Sequence, residues 1–343
     1  MAQSKKFGLG VVGAGMAAKP HAQALDALRD SIEVRGVWRR DTPALQQFCA
    51  TYDFPAAESY EAMLADPEID AILILTPPNA REELVEAAAK AGKHILMEKP
   101  VERTTEAAAR IVAICEKSGV TLGIIFQHRF RAASKALAAK VASDELGALF
   151  SAHLVVPWWR PQVGYYDKPG RGTFAQDGGG VLITQAIHSL DLMLSLTGPA
   201  KAVTALAATT GFHQMETEDF VAGGIEFANG AVGALMATTA NFPGGAESLV
   251  LNFEKASATL TGGNLTLRWF DGREEVVGEA SSSGGGADPM AFPFDWHMDQ
   301  IAEFADAVQS GRQPVSTGAT ALRVHRLIDA LIASSRGGKR VTL

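Results

Sequence analysis

Gly13-Ala14-Gly15-Met16-Ala17-Ala18 follows directly on the apolar run Phe7–Val12 and leads into Ala17–Arg29, where apolar residues recur at helical spacing. A strand, a glycine turn and a helix in that order leave few folds open. Gly13 lets the chain turn sharply, Gly15 lacks the Cβ that would hold a pyrophosphate off the backbone, and Ala18 allows close helix–strand packing. The helix start at Met16 and Ala17 offers unsatisfied N–H groups and a positive partial charge. The expectation is a dinucleotide site on Gly13, Gly15, Met16 and Ala17. The same residues after Lys5-Lys6 have the look of a leader peptide, but they make better sense as a buried strand and its turn.

The alternation continues to residue 126. Ile32–Trp38, Asp70–Leu75, Lys93–Met97 and Val120–Ile125 read as strands, and helical stretches separate them, among them Ala80–Lys90 and Thr105–Lys117. Asp41-Thr42-Pro43 reads as a helix start. This pattern predicts a parallel sheet covered by helices, an α/β Rossmann domain over 1–126. Beyond it strand candidates follow one another: Leu149–Val156, Ala200–Thr209, Phe220–Phe227, Ala231–Thr239, Glu247–Phe253, Ala256–Thr261 and Asn264–Trp269. Tight turns at Asn229-Gly230 and Asp271-Gly272 join some of them. The expected second domain, 127–343, is α+β with a large, mostly antiparallel open sheet. Helices Asp295–Gln309 and Ala319–Ser334 close it, and Ser281–Gly286 reads as a loop.

Composition narrows the partners. The chain has 343 residues, enough for two domains at about 150 each, and a net charge of −7. Without clustered Lys and Arg, nucleic acid is not an expected partner. No apolar run reaches the ~18 residues of a membrane span. Cys49 and Cys115 stand far apart with no histidine at ligand spacing, so neither a metal site nor a disulfide scaffold is expected, and a cytoplasmic setting is. The second strand ends Val37-Trp38-Arg39-Arg40-Asp41. An acid there would hold the ribose 2′-OH of NAD. Arg39 and Arg40 suit a 2′-phosphate instead, so the cofactor is expected to be NADP in preference to NAD.

Chemistry is expected at the carboxyl ends of the strands, where Glu98-Lys99-Pro100 follows one of them. A lysine beside a cationic nicotinamide has its pKa depressed and exchanges a proton with a substrate hydroxyl near neutrality. Further on, Asp177-Gly178-Gly179-Gly180 precedes an amphipathic stretch read as one helix, Val181–Leu196. Thr184, His188 and Asp191 share a face of it, with Asp191 placed to set the His188 tautomer. The three glycines would let a substrate approach the helix start. Pro157-Trp158-Trp159-Arg160 and Tyr165-Tyr166-Asp167-Lys168 precede that stretch, followed by Arg171 and Asp177. Aromatic faces pack on sugar C–H surfaces, and the charged groups bond hydroxyls or a carboxylate. His297 either approaches the same pocket or caps its helix.

With Gly13–Ala18, Thr76-Pro77-Pro78-Asn79, Glu98-Lys99-Pro100, Gln127-His128-Arg129-Phe130 and Gly178–Asp191 the chain resembles the glucose–fructose oxidoreductase/inositol dehydrogenase (Gfo/Idh/MocA) family. The resemblance implies an NAD(P)-dependent dehydrogenase or reductase acting on a secondary alcohol of a sugar, sugar acid or cyclitol. Lys99 and His188 would flank the reacting hydroxyl, with Thr184 beside them. Thr76, Pro77 and Asn79 would lie near the nicotinamide ribose, and Glu98 and Lys99 would also contact the cofactor. Arg129, Trp158, Trp159, Arg160, Tyr166, Arg171, Asp177, Gln185 and His188 would meet the polyhydroxylated substrate. A homodimer or homotetramer built on the open sheet is also implied. Thr184 stands where many members carry aspartate, Gln185 replaces a commoner leucine, and Arg81 stands where histidine is frequent, which reads as the mark of a different, anionic or glycosylated substrate. Other relatives oxidise dihydrodiols, cleave glycosides without net redox change, or bind nucleotides as non-catalytic regulators.

Overall fold

The computed structural model describes residues 5–15, 17–279, 285 and 292–343. Met16 and, apart from Gly285, the serine–glycine loop 281–286 lie outside the described residues. The chain forms two units, one of Met1–Ile125 with Phe294–Ala321, the other of Phe126–Pro293 with Leu322–Leu343. Residues 127–343 therefore do not all fall in the second unit. The reason is apolar: Ile301, Phe304 and Ala305 complete the core of the first unit. There Phe304 meets Phe7 edge-on at 6.5 Å, and Gln300 Nε2 donates to Ile124 O at 2.7 Å.

The first unit is a parallel sheet of β1 (Phe7–Val12), β2 (Ile32–Trp38), β3 (Ala71–Ile74), β4 (His94–Met97) and β5 (Leu122–Ile124), in the order β2-β1-β3-β4-β5. Every residue of β1 and β3 is buried, as expected of strands covered on both faces. Register aligns their last residues: Val12 pairs with Trp38 and Ile74, Ile74 with Met97, and Met97 with Ile124. The turns that follow, at Gly13, Thr76 and Glu98, consequently leave from one edge of the sheet. Asp41 caps helix Thr42–Tyr52 by accepting from Ala44 N at 3.2 Å, as its sequence position suggests.

The second unit holds nine strands: β6 (Leu149–Pro157), β7 (Ala200–Ala208), β8 (Phe220–Phe227), β9 (Val232–Thr238), β10 (Ser248–Phe253), β11 (Ala256–Thr261), β12 (Asn264–Trp269), β13 (Glu274–Val277) and β14 (Val341–Thr342). They run β13-β12-β11-β10-β6-β9-β8-β7-β14, antiparallel except for the β6–β9 pair. The short β13 and β14 were not legible as strands. Beyond β14, Ser334 and Ser335 accept from the β7 amides of Ala205 and Ala207 at 3.0 and 2.7 Å, which occupies part of that strand's open edge. One sheet face is buried (Leu154, Leu251, Ala258, Leu267) under helices Ala132–Ala142 and Ile187–Thr197. Across the other face runs a row in register, Thr204, Gly224, Ala234, His153, Val250, Thr259, Thr266 and Val276, with no acid, lysine or arginine in it.

Candidate active site

The glycine turn fits a pyrophosphate. Gly13 has φ +99°, and a Cβ on it would lie 3.0 Å from the Leu75 carbonyl carbon, so no other residue fits. A Cβ on Gly15 would meet nothing within 4 Å, which is the open space a phosphate needs. Helix Ala18–Ala27 starts with no side-chain cap and no acid in its first turn, so its leading amides face no competing side-chain acceptor. At the end of β2, Arg39 Nη1 donates to Ala14 O at 2.8 Å and Nη2 lies 3.6 Å from Asp41. That holds a guanidinium against the turn, while Arg40 is exposed. Pro77 and Asn79 are also exposed, and the buried Thr76 hydroxyl has no hydrogen-bond partner among the described residues.

The lysine turn is held from both sides. Glu98 Oε1 accepts from His21 Nε2 at 2.7 Å and Oε2 accepts from the Lys99 amide at 3.0 Å. Burial acts to raise the Glu98 carboxyl, but the His21 hydrogen bond and the neighbouring positive charge outweigh it and bring it to about 2. Both oxygens of Glu98 are thus engaged by protein groups. Arg81 is buried, and it turns inward instead of marking an anionic substrate: Nε and Nη2 donate to Thr76 O at 2.9 and 2.7 Å, and Nη1 to the carbonyls of Glu98 and Pro100. Burial pulls it down to about 10.

His297 neither caps its helix nor lies exposed. It packs edge-on against His21, ring centroids 4.7 Å apart, and burial pushes it down to about 3. His21, Glu98 and His297 together have the chemistry of a metal site. Two donors of one tetrahedral zinc stand roughly 3.3 Å apart, given Zn–N bonds of about 2.0–2.1 Å. The 2.7 Å His21–Glu98 contact is shorter, so the group forms a hydrogen-bonded brace.

In the second unit the expected helix is broken into Val181–Thr184 and Ile187–Thr197 at Gln185-Ala186. Thr184 and His188 therefore do not share one helical face. The Thr184 hydroxyl donates to Gly180 O at 2.6 Å and also lies against Gln185 Oε1. Asp191 does not serve His188 either. It is fully buried and takes Arg129 in a fork, Nε to Oδ2 at 2.5 Å and Nη2 to Oδ1 at 2.6 Å. Burial pushes its carboxyl up while Arg129 opposes the shift. This pairing also commits Arg129, expected on the substrate, to a protein partner. His188 lies beside His128 and Phe126, ring centroids 5.1 and 6.1 Å away.

The glycines before that segment serve the chain itself. A Cβ on Gly180 would sit 1.8 Å from Glu218 O, and the Glu218 carboxylate accepts from Gly180 N and Leu182 N at 3.1 and 3.3 Å. An internal acid thus occupies the helix start expected to admit substrate. The expected substrate residues separate into two groups. Around Tyr165 stand Arg160 and Arg171, guanidinium carbons 5.6 and 5.3 Å from its ring. Gln185 Nε2 donates to the Tyr165 hydroxyl at 3.0 Å, Asp177 pairs with Arg171, and Trp158 lies beneath Arg160. Trp159 points elsewhere, against Phe212 and Phe242. Tyr166 is buried, with its hydroxyl bonded to Thr239 at 2.9 Å.

A parallel sheet, an open anion cradle at its first turn and a lysine braced at the same sheet edge define a nicotinamide-dependent oxidoreductase. Residues 7–126 match the family model described as an oxidoreductase family with an NAD-binding Rossmann fold, and residues 134–259 match the GFO/IDH/MocA C-terminal domain. The chain belongs to the Gfo/Idh/MocA family of oxidoreductases. It is 27% identical to 1,5-anhydro-D-fructose reductase of Ensifer adhaerens, over 76% of this chain and 75% of that one. It is 26% identical to D-xylose 1-dehydrogenase (NADP(+)) 2 of Haloferax volcanii, over 97% and 99%. Among solved structures, the WlbA dehydrogenase of Bordetella pertussis in complex with NADH and UDP-GlcNAcA superposes with a TM-score of 0.81, at 26% identity and 98% and 99% coverage. No helix among the described residues is long and apolar enough to cross a membrane.

Proposed function

We propose that this enzyme oxidises a secondary alcohol of a sugar, sugar acid or cyclitol, or reduces the matching ketone, with Lys99 exchanging the hydroxyl proton and His188 as the second group on that hydroxyl. A dinucleotide whose pyrophosphate is held at Gly13, Gly15 and the helix start would supply the hydride acceptor or donor in its nicotinamide. In the oxidative direction the carbon gives up a hydride and the oxygen gives up a proton to Lys99. The observation that carries this reading is the brace on Lys99, whose amide is tied to Glu98 and through it to His21 at the edge where the glycine turn lies. The sugar names of the two curated relatives favour the substrate class. Within it, the two guanidiniums on Tyr165 favour a sugar bearing a negative group, such as the UDP-GlcNAcA bound in the WlbA complex. Initial rates on a panel of sugars, sugar acids and cyclitols with NAD and NADP test the assignment. No turnover on any member, together with tight dinucleotide binding, overturns it in favour of a nucleotide-binding regulator.

The cofactor is NADP in preference to NAD, on the strength of Arg39 against the glycine turn and Arg40 beside it. Asp41 is committed to its helix cap. The double substitution Arg39→Ala, Arg40→Ala is expected to weaken NADPH at least about tenfold more than NADH in fluorescence titration. Equal losses count against a phosphate contact.

The uncharged row across the open sheet face is the surface on which a second copy of this chain assembles, giving a homodimer or homotetramer. A row of small, threonine and apolar residues with one histidine, and without acid, lysine or arginine, gains by burial and loses little to ion desolvation. Ala234→Arg, at the middle of the row, is expected to yield monomers in sedimentation velocity. A wild-type chain that sediments as a monomer at micromolar concentration rules the assembly out.

A further inference from the structure

The sheet stops pairing where the chemistry begins. Glu98 N donates to Ile74 O at 3.0 Å, just past the last paired residues of β3 and β4. Beyond it the chain runs into Pro77, Pro78 and Pro100, which have no N–H to offer the carbonyls around them. Three of those carbonyls, on Thr76, Glu98 and Pro100, take their hydrogen bonds from one side chain.

We propose that Arg81 is a positioning residue for the reaction, locking the Thr76 turn and the Lys99 turn to each other by forking between their main-chain carbonyls. The proposal rests on the reading of Lys99 as the proton-exchanging group. A guanidinium suits the task because its donors are coplanar and point in several directions at once. Lysine would bring a comparable charge without the fork, and histidine has only two ring nitrogens. Burying such a group is costly unless its donors are satisfied. Nε, Nη1 and Nη2 all find main-chain carbonyl oxygen. Arg81 is held in turn at the start of helix Glu82–Lys90, for which it is the N-cap residue. One rigid group thereby sets the separation between the loop beside the nicotinamide ribose and the loop that carries the lysine. An error of about 1 Å there costs on the order of 10²-fold in rate.

The test compares Arg81→Lys, Arg81→Ala and Lys99→Ala. Folding is checked by circular dichroism, dinucleotide binding by fluorescence titration with NADH and NADPH, and kcat with the best substrate of the panel at saturation. Arg81→Ala is expected to lower kcat by about tenfold or more and to weaken the dinucleotide, because both turns lose their anchor. Arg81→Lys is expected to recover only part of either loss, and millimolar guanidinium to restore kcat of Arg81→Ala where methylammonium does not. If Arg81→Ala does not fold, Arg81→Lys decides alone. Wild-type kcat and dinucleotide affinity in a folded Arg81 variant overturn the proposal, as does a lower melting temperature with kcat intact. Failure of the Lys99 reading looks different: Lys99→Ala then turns over normally, whatever the Arg81 variants do.

Discussion

Lys99→Ala is expected to lower turnover by about 10²-fold or more while NADH and NADPH bind as before. The expectation has two parts because the structure separates the side chain from the turn that carries it. Glu98 and Arg81 hold main-chain atoms of the turn, and neither hold depends on the lysine ammonium. Removing the ammonium leaves the glycine turn, the helix start and the Arg39 contact in place. The loss then falls on kcat, with the dinucleotide dissociation constant within about twofold of wild type, since only a group acting in the transition state is gone. Near-normal turnover refutes the role of Lys99. A large rise in the dissociation constant shows instead that the side chain helps to hold the cofactor.

The second large effect is on stability. Asp191 is fully buried and its neutralising partner is Arg129, so Arg129→Ala leaves an acid in the interior without its counter-charge. Loss of one member of a buried pair costs about 3–5 kcal/mol, a fall of roughly 6–20 °C in the melting midpoint of a domain this size. The pH dependence has a definite sign. In the variant the Asp191 carboxyl is raised above its unfolded value of about 3.9. The deficit is therefore small below that pH, where the group is protonated in both states, and grows as pH rises toward the folded value. Replacing both residues with apolar ones of similar volume is expected to recover much of the loss. A midpoint for Arg129→Ala within about 1 °C of wild type shows that the pair contributes little.

The strand–helix alternation of the first unit and the succession of strands in the second were legible because period and turn chemistry are local properties. The glycine turn was legible for the same reason: Gly13 and Gly15 act on their own backbone. The break at Gln185-Ala186 was hidden, since apolar residues keep helical spacing across it. The break shows as a bond that skips one residue, from Ala186 N to Val181 O at 2.8 Å, while Glu218 caps the start of the first short helix from far along the sequence. The same limit explains Asp191. Its neighbour on the helix is His188, but its partner is Arg129, 62 positions earlier. His21 went unnoticed because nothing near it is polar in the right pattern. Its acceptor, Glu98, lies 77 positions on. Arg81, standing where relatives often carry histidine, reads in the sequence as the mark of a different substrate, and only the sheet edge reveals the three carbonyls it serves. Tyr165 and Tyr166 are adjacent in sequence, and packing alone decides that the first meets the arginines and the second is sealed against Thr239.

The return of Phe294–Ala321 to the first unit has a consequence for synthesis. On the ribosome, the nucleotide-binding half cannot finish until residue 321 has left the exit tunnel, by which time most of its neighbour has already emerged. A gene fragment ending near residue 126 would strip Phe304 from its seat against Phe7 and bare an oily face to water. Anyone wishing to graft this half onto another protein must carry the late segment with it, spliced in by a linker.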